Sequence, residues 1–331
     1  MEIAKLKVLV TGGAGFIGSH IVEDLVRHGA AVRVYDNLSS GCEANLDPVR
    51  RDVEIVRGDI LDVRELRRAA TGMDVVCHQA AQLEIIRCIE APVEDLRSNT
   101  QGTLNVLEAA KLCGIRKVVF ASSACVYGQA QYTPQDEAHR TLPNWPYGIS
   151  KLASEHYARL YHDSYGIETI GLRYSIVYGP REWYGRVLTA FLKRALEKKP
   201  PVVWGGHQQR DFVYVTDVAR VNRLCIEHDG LAHQILNVST AVPTSVVELA
   251  TLVCGLFGLD EPIFEDVPEG EPSPLMEGRI RLPAELQMMV LDNRRAMELL
   301  DWVPAVALRD GIRTEMQWLM DNADRWVVMH Y

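Results

Sequence analysis

Residues 6–18 read LKVLVTGGAGFIG, an apolar run followed by glycines at positions 12, 15 and 18. The run is typical of a buried strand, and apolar side chains recur at helical spacing after it. A glycine turn between a strand and a helix binds the pyrophosphate of a dinucleotide, because the helix N-terminus supplies free N–H groups and a positive dipole. Gly12 allows the tight turn, Gly15 lets the backbone approach the pyrophosphate, and Gly18 lets strand and helix pack closely.

Strand and helix patterns alternate through the first half of the chain. We predict strands at 6–10, 31–35, 53–57, 74–77, 117–121 and 169–173, and helices at 16–28, 63–70, 93–113 and 148–165. Parallel strands joined by crossover helices are buried on both faces, so they read as continuous apolar runs such as Val8-Leu9-Val10. The sequence therefore predicts an α/β fold, a Rossmann doubly wound parallel sheet with a smaller, irregular α/β substrate domain.

The pattern becomes irregular after Tyr174, where glycine and proline pairs and an acidic stretch interrupt it. We expect residues 1–174 to form the dinucleotide-binding domain. Residues 211–238 read strand, helix, strand, and we expect them to return to that domain. Residues 175–210 and 239–331 then form the substrate domain.

The composition argues against several other classes of protein. The chain has 331 residues, 47% of them hydrophobic, and 35 Lys and Arg against 44 Asp and Glu give a net charge of -9. This acidic balance argues against nucleic acid as a partner. No apolar run reaches the ~18–20 residues that span a bilayer, and no cleavable signal precedes the first strand, so we expect a soluble, cytoplasmic protein without a membrane partner. Seven cysteines without CxxC spacing are interpreted as reduced thiols, and ten scattered histidines predict no metal site.

The predicted second strand ends near Asp36, eighteen residues beyond Gly18. A carboxylate at this place binds the ribose hydroxyls of the cofactor and repels a 2′-phosphate. Asn37 follows and does not supply the arginine that favours NADP, so the sequence predicts NAD. Asp59, after the third strand, is placed to meet the adenine, or it forms the turn that starts a helix.

Tyr147 has a lysine, Lys151, four residues later, and one helical turn puts both side chains on one face. A nearby ammonium stabilises the phenolate, so the pair can perform general acid/base chemistry. Ser122 and Ser123 end a predicted strand, and we expect both to face the same crevice as Tyr147. Either serine hydroxyl could instead cap a turn.

Several motifs in order carry a resemblance that covers nearly the whole chain. They are TGGAGFIGSH at 11–20, DNLSSG at 36–41, HQAAQ at 78–82, NTQGTLNVLEAA at 99–110, SSACVYG at 122–128, YGISK at 147–151, LRYSIVYGPR at 172–181, RDFVYVTDV at 210–218 and LDNRRAMELLDW at 291–302. With these motifs the chain resembles the extended short-chain dehydrogenases/reductases, and among them the nucleotide-sugar epimerases related to UDP-galactose 4-epimerase.

The resemblance implies an NAD-dependent C4 epimerase of UDP-hexoses that passes through a 4-keto sugar and regenerates its cofactor. Tyr147 is then the base, Lys151 lowers the pKa of Tyr147, and Ser123 shares the hydrogen bond to the substrate. The implied NAD contacts are Gly12, Gly15, Phe16, Ile17, Gly18, Asp36, Asn37, Ser39, Gly41, Asp59, Ile60, Ala80, Ala81, Gln82, Asn99, Ser122, Tyr147, Lys151 and Tyr174. The implied nucleotide-sugar contacts are Ser123, Ala124, Cys125, Tyr147, Arg186, Val187, Arg210 and Arg281.

Several departures leave alternatives open. Related dehydratases and decarboxylases need carboxylates where this chain has Ala124 and Cys125, which argues against both reactions. Cys125 matches the cysteine of GDP-mannose 3,5-epimerases. Ser175-Ile176 replaces the usual Phe-Asn, and Arg186 nearby could meet the carboxylate of UDP-glucuronate. A net NAD-dependent dehydrogenase or reductase also remains open.

The resemblance also implies a homodimer. Relatives dimerise through a four-helix bundle built from the helices that correspond to 93–113 and 148–165. We expect Ala110, Leu152, His156 and Leu160 on that face, unless these residues pack on the sheet.

Overall fold

The computed structural model describes residues 1–182, 185–276 and 279–326. The strands are β1 (Lys7–Thr11), β2 (Ala31–Asp36), β3 (Val53–Arg57), β4 (Val75–His78), β5 (Lys117–Ser123), β6 (Glu168–Tyr174), β7 (Ile176–Tyr178), β8 (Val202–Trp204), β9 (Gln209–Arg210), β10 (Phe212–Tyr214), β11 (Gln234–Val238), β12 (Thr244–Ser245), β13 (Ile263–Glu265) and β14 (Met288–Met289). The helices are α1 (Phe16–Arg27), α2 (Val63–Ala70), α3 (Ile85–Glu90), α4 (Pro92–Asp95), α5 (Gly102–Cys113), α6 (Pro146–Tyr165), α7 (Val187–Leu196), α8 (Val215–Glu227), α9 (Val246–Phe257), α10 (Arg294–Leu300), α11 (Leu308–Asp321) and α12 (Ala323–Trp326). Over these ranges no helix is long and apolar enough to cross a membrane.

In the described part of the chain, seven parallel strands form a central sheet in the order β3-β2-β1-β4-β5-β6-β11. Val8 of β1 pairs with Val32 of β2 on one side and with Val75 of β4 on the other. The chain therefore winds outward from β1 in both directions. Where the direction of winding changes, a ligand crevice opens at the carboxyl ends of the two adjacent strands. In this sheet those strands are β1 and β4. The predicted Rossmann doubly wound α/β fold is confirmed.

Each face of the central sheet has its own apolar core. Val8 and Val10 belong to the core that α1 and α8 cover, whereas Leu9 belongs to the core that α2, α5 and α6 cover. All three side chains are fully buried, because successive residues of a strand point to opposite faces. Burial on both faces explains why β1 reads as a continuous apolar run.

The predicted helix at 93–113 consists of three segments. It starts as α4, continues as a π-helical segment over Leu96–Gln101 and ends as α5. A π-helical segment arises where local contacts hold the backbone away from regular α-helical bonding, and such segments are frequent at functional sites. Here the buried Asn99 lies inside the segment.

One residue expected on a dimer face lies elsewhere. Ala110 is fully buried in the core between α5 and α6, with Ala158 and Tyr161, so the expectation for Ala110 is wrong. Within α5, Ala110 lies on the side that packs against the body of the protein. Leu160 and His156 are exposed on α6.

The remaining elements form small sheets around a third apolar core. β7 pairs with β10, β8 pairs with β13, and β9 lies between β12 and β14. Helices α7, α9 and α11 contribute Phe191, Leu249 and Ile312 to this core. Within 211–238, β11 joins the central sheet beside β6, whereas β10 pairs with β7. The division of the chain into two domains stays a prediction.

Candidate active site

The turn between β1 and α1 is too tightly packed for larger residues at two of its glycines. Gly12 has a φ of +70°, and a Cβ added there would lie 2.6 Å from the backbone nitrogen of Ala80. A Cβ added to Gly18 would collide with the carbonyl oxygen of Gly12. The N–H groups of the first turn of α1, at Phe16 and Ile17, have no carbonyl partner within the helix. The turn therefore forms a cradle into which a pyrophosphate fits.

Asp36, the last residue of β2, lies beside this cradle. Its Oδ2 accepts a 2.9 Å hydrogen bond from the Ala14 N–H, and its Oδ1 accepts a 2.8 Å bond from the Leu38 N–H. Burial raises the pKa of Asp36, and the two N–H donors oppose that rise. A Cβ on Gly41 would lie 3.1 Å from Oδ1. Each carboxylate oxygen keeps a lone pair, so the site fits a dinucleotide with free ribose hydroxyls.

Asn37 and Asp59 connect the ends of β2 and β3. The Asn37 Nδ2 donates a 2.9 Å hydrogen bond to the Asp59 Oδ2, and the Asn37 Oδ1 accepts one from the Ser39 N–H. The Asp59 Oδ1 accepts a 2.8 Å bond from the Leu61 N–H. Asp59 thus forms the turn after β3, one of the two roles predicted for it, and it also positions Asn37. The carbonyl of the next residue, Ile60, accepts a hydrogen bond from Asn105.

The loop after β4 contains Ala80, Ala81 and Gln82, and Asn99 holds it in place. The Asn99 amide donates to the Gln82 carbonyl at 2.7 Å and accepts from the Gln82 N–H at 2.9 Å. Its Nδ2 also donates to the Oδ1 of buried Asp95. Asp95 was not predicted from the sequence, although it lies one helical turn before Asn99.

Tyr147 and Lys151 lie one turn apart near the start of α6. The Lys151 Nζ is 5.7 Å from the centre of the Tyr147 ring and donates a 2.9 Å hydrogen bond to the Ala121 carbonyl. Burial lowers the pKa of Lys151 to about 8, and the charge of Asp95 opposes this. Desolvation raises the pKa of Tyr147, whereas the Arg186 charge and the Ser123 hydroxyl lower it. Without a further cation, the phenol stays neutral.

The two serines at the end of β5 point to opposite faces. Ser123 Oγ accepts from the Cys125 N–H at 3.1 Å and lowers the pKa of Tyr147, so it belongs to the crevice. Ser122 Oγ donates a 2.5 Å hydrogen bond to Glu155, which is paired with Arg173. The expectation that both hydroxyls face the crevice is therefore wrong for Ser122.

Ala124 and Cys125 form a 3₁₀ turn directly after β5. Burial raises the pKa of the Cys125 thiol, and the charges of Arg186 and Arg210 oppose that rise. A Cβ on Gly148 would lie 2.5 Å from the Cys125 carbonyl oxygen, so the start of α6 packs directly on this turn.

Two arginines and one carboxylate form a cluster on the side of the small sheets. Arg210 Nη2 lies 3.5 Å from Glu285 Oε1, and Arg281 Nε lies 3.1 Å from Glu285 Oε2. Gln208 donates to the same carboxylate at 2.9 Å. Two guanidinium groups with one carboxylate leave a net positive charge, which suits a diphosphate. Glu285 was missed, although its position four residues after Arg281 was a signal.

Arg186 immediately precedes Val187, the first residue of α7. Its Nη1 donates a 3.1 Å hydrogen bond to the Val177 carbonyl. Its charge lowers the pKa of both Tyr147 and Cys125. Arg186 is therefore close to the reacting end of the crevice.

Tyr174, at the end of β6, uses its hydroxyl inside the protein. The hydroxyl donates to Gln79 at 3.2 Å and accepts from Asn222 at 2.8 Å. The contact of Tyr174 with the cofactor stays a prediction. Among the residues that the structure describes, no group of His, Cys, Asp and Glu could hold a metal ion.

Known proteins are similar to this chain over nearly its whole length. Residues 8–239 match the NAD dependent epimerase/dehydratase family. A protein of Methanocaldococcus jannaschii named "Putative UDP-glucose 4-epimerase" is 39% identical over 323 residues, which cover 95% of this chain and 99% of that protein.

Two solved structures are similar in both fold and sequence. The UDP-glucose 4-epimerase of Thermotoga maritima, solved with UDP-glucose, has a TM-score of 0.85 and 33% identity, covering 96% of this chain and 100% of that one. The UDP-glucose 4-epimerase of Thermus thermophilus, solved with NAD, has a TM-score of 0.85 and 35% identity, with the same coverage. Other relatives, at 28% and 29% identity, are a UDP-glucuronate 4-epimerase and a dTDP-glucose 4,6-dehydratase.

Proposed function

Because the chain belongs to the NAD dependent epimerase/dehydratase family, we propose that it inverts C4 of a UDP-hexose, interconverting UDP-glucose and UDP-galactose. NAD is its cofactor. One observation carries the proposal: Tyr147, Lys151 and Ser123 converge at the crevice, while no carboxylate occupies position 124 or 125. An acid/base tyrosine without those carboxylates favours epimerisation over elimination or decarboxylation.

The glycine cradle, Asp36 and Lys151 would hold the cofactor. When bound, NAD would accept a hydride from the sugar and contribute a positive charge to the site. The residues of the chain supply the rest of the reaction. Ser123 hydrogen-bonds the C4 hydroxyl, Tyr147 takes its proton, and the Lys151 ammonium stabilises the phenolate.

The nucleotide end is held by the arginine cluster. Arg210 and Arg281 bind the diphosphate by charge-assisted hydrogen bonds. Arg210 is partly buried, and burial lowers its pKa. The charge of Glu285 opposes this only in part, because Glu285 is shared with Arg281. A diphosphate between the two guanidinium groups relieves this imbalance. Diphosphate binding at this end leaves the sugar at Tyr147 free to turn over.

A second candidate is favoured by one observation, the position of Arg186 near Tyr147. A guanidinium there suits the carboxylate of UDP-glucuronate, whose C4 epimerisation uses the same Tyr147 chemistry. GDP-mannose 3,5-epimerisation through Cys125 is less well supported, because burial raises the pKa of the thiol and disfavours a thiolate base.

We also propose a homodimer formed through α5 and α6. Ile149 and Leu160 are 57% and 52% exposed on α6, and Leu96 next to α5 is 54% exposed. Large apolar side chains that share a surface mark protein interfaces. Sedimentation of a stable monomer contradicts this proposal.

The test of the proposed function is incubation of the purified enzyme with UDP-glucose, UDP-galactose, UDP-glucuronate, UDP-N-acetylglucosamine and GDP-mannose in separate reactions. Proton NMR follows C4 of each sugar while absorbance records NADH. We expect the C4 epimer of UDP-glucose or UDP-galactose without accumulation of NADH, and no product with Tyr147→Phe. NADH formed in proportion to product supports a dehydrogenase instead.

A further inference from the structure

Glu182, in the loop after β7, is a buried carboxylate to which the mechanism above gives no role. Its side chain is 2% exposed, and its Oε1 lies 3.9 Å from the Nε of Arg186. That oxygen has no hydrogen-bond partner in the described ranges of the chain. The loop is anchored just before Glu182, because the Pro180 carbonyl contacts His20 at 3.0 Å and Arg181 pairs with Glu23 on α1. Glu182 is therefore fixed beside Arg186.

Glu315 on α11 is a second buried carboxylate, close enough to Glu182 for their charges to interact. Glu315 is 1% exposed, and neither of its carboxylate oxygens has a hydrogen-bond partner among the residues described. Its neighbours along α11, Ile312 and Met316, belong to the third apolar core. Burial raises the pKa of Glu315, and the negative charge of Glu182 raises it further. Two carboxylates in such surroundings do not both ionise. Burial also raises the pKa of Glu182, to about 7, and the charge of Arg186 opposes that rise, so Glu182 is the carboxylate that ionises and Glu315 is neutral.

The charge of this group bears on the sugar that the site accepts. Among the described residues of this group, Arg186 contributes one positive charge and Glu182 contributes one negative charge when it is ionised, so the ion pair is then close to neutral. The Arg186 guanidinium also acts on Tyr147 and Cys125, at the reacting end of the crevice. A guanidinium that is already compensated attracts a second carboxylate weakly, and that carboxylate is repelled by Glu182.

We propose that Glu182 determines specificity: by neutralising Arg186 it makes the reacting end of the site select an uncharged hexose and reject a hexuronate. This inference rests on the proposed function, because it assigns the sugar class to the same nucleotide-sugar site. Glu182 acts only through the charge of Arg186 and does not contact the reacting atoms.

The experiment measures the dissociation constants of UDP-glucose and UDP-glucuronate by titration calorimetry on the NAD-loaded enzyme. The wild type should bind UDP-glucose at least about tenfold more tightly than UDP-glucuronate. Glu182→Gln keeps the shape but removes the charge, and we expect it to reduce this preference by about tenfold. Glu315→Gln replaces a group that is already neutral, so the preference should stay within about twofold.

Arg186→Met provides an independent variant. Without the guanidinium the buried Glu182 carboxyl is protonated, so adding Glu182→Gln to this variant should leave the preference within about twofold of that of Arg186→Met alone. Thermal unfolding checks that each variant is folded.

Two results overturn the inference: a wild type that prefers UDP-glucuronate, or a folded Glu182→Gln variant with the wild-type preference. The ratio of the two dissociation constants is measured without any reaction, so it is obtained whether or not the enzyme epimerises the sugar. Absence of C4 epimers in the NMR assay refutes the proposed function alone, and the ratio of dissociation constants still decides the role of Glu182.

Discussion

The Lys151 ammonium donates a 2.9 Å hydrogen bond to the carbonyl oxygen of Ala121. Ala121 lies in β5, two residues before Ser123, and Lys151 lies in α6, one turn after Tyr147. The bond therefore connects the helix that carries the phenol to the strand that carries the serine hydroxyl. It also compensates part of the cost of burying the ammonium, whose side chain lies inside the protein.

The buried charge of Lys151 predicts a pH-dependent stability. Burial lowers the pKa of Lys151 from 10.5 to about 8. Between these values the unfolded chain binds more protons than the folded one, so the contribution of Lys151 to the free energy of unfolding rises with pH by about 1.4 kcal/mol per unit. Below this interval Lys151 is protonated in both states, and the burial cost is fully present.

Lys151→Met should therefore be more stable than the wild type at neutral pH, with a difference in the free energy of unfolding that shrinks as pH rises through the interval. Guanidinium denaturation over this range provides the measurement, and a constant difference contradicts it.

Ser123 and Ser122 should fail in different ways when replaced by alanine. Ser123→Ala removes a hydrogen bond at Tyr147, so kcat should fall about 10- to 100-fold. It also removes the acceptor for the Cys125 N–H, so the free energy of unfolding should fall by about 0.5–2 kcal/mol. Ser122→Ala removes a donor from buried Glu155, so it should lower the free energy of unfolding by about 1–3 kcal/mol. Kinetics and thermal unfolding on the same preparations test both variants. Similar losses of kcat in the two variants would refute the assignment.

Asp36 should set the preference for NAD over NADP. Asp36→Ala removes the carboxylate that hydrogen-bonds ribose hydroxyls and repels a 2′-phosphate, so the ratio of the two affinities should change by at least about tenfold toward NADP. Calorimetric titration with each cofactor measures the ratio. Asp59→Asn, on the neighbouring strand end, serves as the control and should weaken both cofactors alike.

Arg210 should contribute mainly to substrate binding. Arg210→Met removes one of the two guanidinium groups around Glu285, and we expect the dissociation constant of UDP to rise at least about tenfold, with a smaller change in kcat. Arg220→Met is the matched control, because Arg220 pairs with Asp217 on α8. If Arg220→Met weakens UDP binding as strongly, the diphosphate site lies elsewhere.

Gly18 and Gly255 should respond to alanine with opposite signs. Gly18→Ala collides with the Gly12 carbonyl and distorts the cradle, so NAD affinity and stability should both fall. A Cβ on Gly255, in α9, meets no atom within 4 Å. Gly255→Ala should therefore raise the free energy of unfolding by about 0.5–1 kcal/mol. Fluorescence titration with NAD and chemical denaturation distinguish the two, and retained NAD affinity in Gly18→Ala would refute the cradle.

The central sheet could be predicted because its signals are local. The strand β1, the glycine turn and the start of α1 are contiguous in sequence. The continuous apolar run of β1 indicates that the strand is buried on both faces. The pairing of Tyr147 with Lys151 depends only on the helical repeat. The choice of NAD likewise depends on Asp36 at the end of a strand.

Other features required the tertiary structure, because they join residues far apart in the chain. Glu285 reaches Arg210 across 75 positions, and Glu315 on α11 interacts electrostatically with Glu182 in the loop after β7. The burial of Ala110 depends on which side of α5 packs on the core that α2, α5 and α6 cover. The sequence alone determined the sheet, the cofactor cradle and the acid/base pair, since each is specified by spacing within one or two adjacent elements. Only the folded chain decided which buried charges face each other, since pairing and desolvation depend on distances that no local pattern encodes.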